Sequence, residues 1–117
     1  MNQKIPLDIS SLTLKEWIKD DLSSLTLVDV REKEELSIAP FSYKILHLPL
    51  SGFSMWSKTY SQLLSLEKKI VVICHSGVRS WNFGVWLLEQ DHGYQVWNLN
   101  GGIDAWSTLV DDSVPRY

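Results

Sequence analysis

One cysteine, Cys74, is the entire thiol complement of this 117-residue chain. An internal disulfide is therefore excluded, and no Cys/His spacing resembles a zinc site. A free thiol suits a reducing compartment. No apolar run approaches the ~18 residues of a membrane span, and the opening MNQKIPLDIS lacks an apolar core of signal-peptide length. The expectation is a cytoplasmic protein with no membrane partner. Basic residues are scattered, with Lys68-Lys69 the one adjacent pair, and the net charge is −3. That balance argues against nucleic acid or an anionic membrane as the main partner. Internal repeats and low-complexity segments are also missing.

What the chain has in quantity is apolar and aromatic surface. Hydrophobic residues make up 44% and charged residues 21%, the composition of one globular domain with one core. Six tryptophans are many for this length, and packing of core and groove walls is their expected use. The domain is read as spanning residues 1–117, with 1–8 an arm or short edge segment and 110–117 a surface tail.

Between these ends, strand-like and helix-like segments alternate. Thr13 and Glu16 form a capping-box pattern ahead of a helix over 14–21, with Leu14, Trp17 and Ile18 on its apolar face. Strands are expected at 25–30, 44–48, 70–73 and 94–99. Helices are expected over 51–66, where Phe53, Trp56, Tyr60, Leu63 and Leu64 recur at helical spacing, over 81–90 with Gly93 as its cap, and over 103–109. Strands joined through helices predict an α/β fold with a mainly parallel sheet and right-handed crossovers.

The most informative stretch is Lys69 to Trp81, KKIVVICHSGVRSW from Lys68 onward. Ile70–Ile73 is a β-branched run of the kind buried on both faces of a parallel sheet. It stops at Cys74, and His75, Ser76, Gly77, Val78, Arg79 and Ser80 lead into a helix. The N–H groups at a helix start lack partners within the helix, and the dipole puts partial positive charge there. A loop curling into that end adds inward-pointing N–H groups, an anion cradle that favours a thiolate. Arg79 brings a fixed cation with a fork of donors suited to an oxyanion. An isolated cysteine is more often a structural strand end, but strand, glycine loop, arginine and helix in this order point to chemistry.

These residues resemble the active loop of the rhodanese family of sulfurtransferases, a Cys-x-x-x-x-Arg turn between a central strand and a helix. Leu27-Val28-Asp29-Val30-Arg31-Glu32 with Glu34-Glu35 resembles the family's first-strand motif. His47-Leu48-Pro49 resembles the end of its second strand, and Gly101-Gly102-Ile103-Asp104-Ala105-Trp106 its Gly-Gly-x-x-x-Trp signature. The likeness runs from about Ile9 to Leu109 and departs at residues 36–43, where the family's Gly-His-Ile-x-Gly-Ala is replaced and both glycines are lost. It implies a rhodanese-like three-layer fold, a mainly parallel sheet of about five strands flanked by helices.

By resemblance, Cys74 takes a sulfane sulfur from a donor such as thiosulfate and passes it to cyanide, a small thiol or a protein thiol. The N–H groups of residues 75–80 stabilise the persulfide, Arg79 orients the donor, and Ser76 and Ser80 offer hydroxyls. Asp29 braces the surrounding loops. Arg31 is left open between that role and a surface pair with Glu34 or Glu35. His75 either shapes donor choice or is merely solvated, and His47 is read as structural. No metal or organic cofactor is required.

Two other readings compete. Cysteine phosphatases, and the arsenate reductases related to them, also use a Cys loop ending in Arg, but with five intervening residues. Here there are four, and Ser80 stands where their arginine would fall, a tighter cradle suited to sulfur. Rhodanese-like domains also serve as non-catalytic protein-interaction or regulatory modules, a reading that the presence of Cys74 disfavours.

Overall fold

A computed structural model describes residues 3–117; Met1 and Asn2, part of the expected arm, lie outside them. Five strands form one sheet in the order β1-β5-β4-β2-β3: β1 Leu7–Ile9, β2 Leu25–Asp29, β3 Leu46–His47, β4 Lys69–Ile73 and β5 Gln95–Leu99. Every pairing is parallel, with Val72 of the central β4 opposite Val28 on one side and Asn98 on the other. The helices are α1 Ser11–Asp21, α2 Lys33–Ile38, α3 Phe53–Trp56, α4 Val78–Glu89 and α5 Gly102–Leu109.

The β-branched run of β4 is covered on both faces, as its composition requires. Val71 and Ile73 pack with Leu14 and Ile18 of α1 and Ile103 and Trp106 of α5. Ile70 and Val72 pack with Phe83 and Leu87 of α4 and with Trp56 and Tyr60. The result is a three-layer α/β/α domain. Burying each such side chain contributes about 1.5–3 kcal/mol, so four consecutive ones pin β4 far more firmly than the two-residue edge strand β3.

Several local expectations are corrected. Ser10, not Thr13, caps α1: its hydroxyl accepts the Thr13 N–H at 3.1 Å, so the helix starts earlier. Of the two expectations for the first residues, the short edge segment holds at Leu7–Ile9, where β1 pairs with β5 at the sheet edge. The helix expected over 51–66 is broken into α3 and short 3-10 turns at Leu50–Gly52 and Tyr60–Gln62. Trp56, Tyr60 and Leu64 still face the core, but Gly52 and the interspersed serines and threonine are poor helix formers. After α4 the left-handed residue next to the cap is Asp91, φ 59°, ahead of Gly93. The divergent segment 36–43 finishes α2 and then inserts Ala39 and Phe41 into the core, with Phe41 4.7 Å from the Trp106 ring.

The tail lies at the surface as expected apart from one anchor, Val114. Val114 is 4% exposed within the α1/α5 core, and the Ser107 hydroxyl donates to its carbonyl at 2.5 Å.

Candidate active site

Parallel strands bring their carboxyl ends to one edge, and ligand sites gather where successive connections leave a sheet in opposite directions. Here the chain leaves β2 towards β3 and leaves β4 towards β5, so the crevice falls between β2 and β4. Asp29 ends β2, and Cys74 follows β4 directly. The two strand ends are tied by the Val30 N–H donating to the Ile73 carbonyl at 3.0 Å.

The Cys74 loop turns at Gly77 (φ 100°), and α4 begins at the next residue, earlier than its apolar spacing suggests. Val78, Arg79 and Ser80 are thus the helix's first turn, and the sulfur lies at its N-terminal end. The Gly77 N–H donates to Cys74 Sγ at 3.0 Å. This one backbone donor, rather than a full ring, meets the sulfur.

The Ser80 hydroxyl lies 3.2 Å from Cys74 Sγ but donates to Asn98 Oδ1 at 2.5 Å. Asn98 in turn donates to Asp8 Oδ1 at 3.1 Å and to the Gly77 carbonyl at 3.2 Å. Both of those partners only accept, so the amide orientation is determined and Ser80 has no second proton to give. Ser80 therefore faces the Cys74 thiol as an acceptor, not as the donor expected from sequence. Neither Asp8 nor Asn98 belonged to any recognised motif; the one available signal was a buried asparagine between Trp97 and Leu99.

The far side of the loop is held by the start of α5. Ile103 N–H donates to the Cys74 carbonyl at 2.8 Å and Asp104 N–H to the His75 carbonyl at 3.1 Å. This close approach depends on Gly102: at φ 59°, an added Cβ would stand 2.5 Å from the Cys74 carbonyl oxygen and 2.4 Å from that of His75. Gly102→Ala is expected to cost about 2–4 kcal/mol, combining left-handed strain with overpacking. Urea unfolding checks this, and a loss below about 1 kcal/mol would mean the turn shifts freely.

Arg79 is already occupied. Its Nη1 and Nη2 donate to Glu35 of α2, both at 2.8 Å, clamping the Cys74 loop to the segment after β2. The Arg79 guanidinium, together with the Glu32 N–H and the Tyr117 hydroxyl, holds the Glu35 carboxyl down at about 2. The same carboxylate pushes the Arg79 value upward. A folded value below the unfolded one of 4.5 makes this stabilisation complete above about pH 4.5 and lost as pH falls towards 2. Glu35→Gln should therefore flatten the wild-type loss of stability between those limits. Chemical denaturation at stepped pH reads the difference, and parallel slopes would refute the assignment.

Asp29 and Arg31 form a separate, fully buried pair. Arg31 Nη2 and Nε donate to Asp29 at 2.9 and 3.1 Å, and neither side chain is exposed. The open question over Arg31 is thus answered: it pairs with Asp29, while Glu35 serves Arg79. His47 meets the Arg31 carbonyl at 2.6 Å, the structural position expected of it. Val78 and Ser76 are exposed, and His75 is half-buried with its ring stacked on Tyr117. Cys74 itself is 1% exposed.

A parallel sheet between two helical layers, presenting a cysteine after its central strand under a glycine turn and a helix start, defines an α/β fold with a cysteine loop. Residues 12–109 match the rhodanese-like domain, and the chain belongs to that family. It is 36% identical over 99 residues to the putative sulfurtransferase YtwF of Bacillus subtilis, covering 85% of this chain and 88% of that one. It is 40% identical over 93 residues to the chloroplastic rhodanese-like/PpiC domain-containing protein 12 of Arabidopsis thaliana. That match covers 78% of this chain, which spans only 30% of the plant protein. The crystal structure of a rhodanese-related protein from Thermoplasma volcanium superimposes with a TM-score of 0.67 at 30% identity, covering 93% of this chain and 95% of that one. Among the described residues, no helix is long and apolar enough to cross a membrane.

Proposed function

We propose that this protein is a sulfurtransferase that carries sulfane sulfur as a persulfide on Cys74. The Gly77 N–H aimed at Cys74 Sγ at the start of α4 carries the reading, because it supplies a fixed dipole where sulfur bears negative charge. The likeness to a putative sulfurtransferase supports it.

With thiosulfate as donor, the Cys74 thiolate attacks the outer sulfur and forms an S–S bond. The donor's own S–S bond breaks, and sulfite leaves with the electron pair. The outer sulfur then stands about 2 Å beyond Sγ. Cyanide or a thiolate attacks that sulfur and returns Cys74 as thiolate. Four residues between Cys74 and Arg79 make a cradle for sulfur, tighter than a phosphate loop. Arg79 serves as the brace between the Cys74 loop and α2, its charge matched by the Glu35 carboxylate.

Incubation with thiosulfate should add about 32 Da to the intact mass, removed by cyanide or dithiothreitol. No gain from several sulfane donors would overturn the proposal and favour a rhodanese-like module that only binds partners.

A further inference from the structure

The tail returns to the site, and its last residue makes contacts that the transfer chemistry does not require. The Tyr117 ring stacks on His75 with centroids 4.2 Å apart and planes 14° from parallel. Its hydroxyl accepts from Arg31 Nη1 at 3.1 Å and donates to Glu35 Oε1 at 3.1 Å. His75 belongs to the loop after β4, Arg31 follows β2, and Glu35 lies on α2. One side chain thus spans both walls of the crevice beside which Cys74 lies, and it holds the carboxylate that clamps Arg79.

We propose that Tyr117 is a specificity-determining residue of the Cys74 site, a roof that passes small sulfur donors and acceptors and must lift before a bulky thiol reaches the sulfur. The assignment rests on the sulfur-transfer reading for its biological meaning, but its geometry stands apart. Val114 anchors the tail in the core three residues before Tyr117. Arg116 pairs with Asp104 at 2.8 Å, but that pair is exposed and holds the segment only weakly. The main fastening is therefore the Tyr117 ring and hydroxyl, a stacked pair and hydrogen bonds to two charged groups.

Because Cys74 is the sole cysteine, labelling reports on this site alone. Alkylation by iodoacetamide and by a polyethylene-glycol maleimide, each followed by intact mass, gives a bulky-to-small rate ratio. Tyr117→Ala should raise that ratio about tenfold, and Tyr117→Phe, which keeps the ring and loses both hydroxyl bonds, about threefold. Ratios within about twofold of wild type in both variants overturn the proposal. Should circular dichroism find the alanine variant unfolded, the phenylalanine variant decides by the same criterion. Thiosulfate loading is measured in parallel. A changed ratio without loading in any variant defeats the sulfurtransferase reading and leaves the roof, whereas normal loading with an unchanged ratio does the reverse.

Discussion

Cys74→Ser should take up no sulfur from thiosulfate and should lower transfer to cyanide by on the order of 10³-fold or more. The hydroxyl is nearly the same size, so the Gly77 turn, the Ser80–Asn98–Asp8 chain and the Arg79–Glu35 clamp remain in place. What is lost is a thiol, a far better nucleophile than a hydroxyl and able to form a bond to sulfur that a second nucleophile can break. Thiocyanate formation, followed with purified wild type and variant at equal concentration, reads the loss. Since the fold is retained, denaturation midpoints should differ little. A variant keeping more than about a tenth of the wild-type rate would remove Cys74 from the reaction.

Asp29→Ala should cost about 3–5 kcal/mol of folding stability, the penalty for leaving the fully buried Arg31 guanidinium without its carboxylate. The Tyr117 hydroxyl, the other group hydrogen-bonded to that guanidinium, is neutral. The pair as a whole is worth much less than the loss of one partner implies, because desolvating both charges offsets most of their attraction. The double variant Asp29→Ala/Arg31→Met should therefore regain most of the loss. Urea denaturation of both variants checks this. A single-variant cost under about 1 kcal/mol, or a double variant no better than the single, would show that the buried charge is not the controlling term.

These two residues also mark how differently the parts of the site could be read in advance. Cys74, Gly77 and Arg79 were legible because each is a chemically distinctive residue at a short separation, within one strand–turn–helix unit. Gly102 was legible for the same reason, as a glycine pair opening a helix. The partners were not. Arg31 has Asp29, Glu32, Glu34 and Glu35 all within four residues, so the sequence left its partner open, and Arg79 has no acidic residue nearer than Glu89. Packing made the choice, because Arg31 points into the interior beside Asp29 while Glu35 projects from α2 across the crevice to Arg79. Asn98 and Asp8 lie on strands 90 residues apart in sequence that become neighbours only when β1 adds beside β5.

The 51–66 segment failed as a helix for a related reason. Its apolar spacing of four matched a helix, yet the same spacing can be met by short turns when the sheet face supplies the burial. Likewise, two aspartates, a serine and a proline marked 110–117 as solvated, but Val114 and Tyr117 are held by groups distributed over the rest of the chain.

By itself the amino-acid order determined the layered α/β architecture, the strand that ends in the thiol and the loop that follows it. Those follow from periodicity, propensity and spacings of a few residues, all of which act locally. Only the tertiary structure decided which acid meets which arginine, which way the Ser80 proton points and that Tyr117 meets His75, Arg31 and Glu35. Such choices depend on how separate segments are oriented once the core is packed, where a buried charge or hydrogen-bonding group must find its partner in space whatever its distance along the chain.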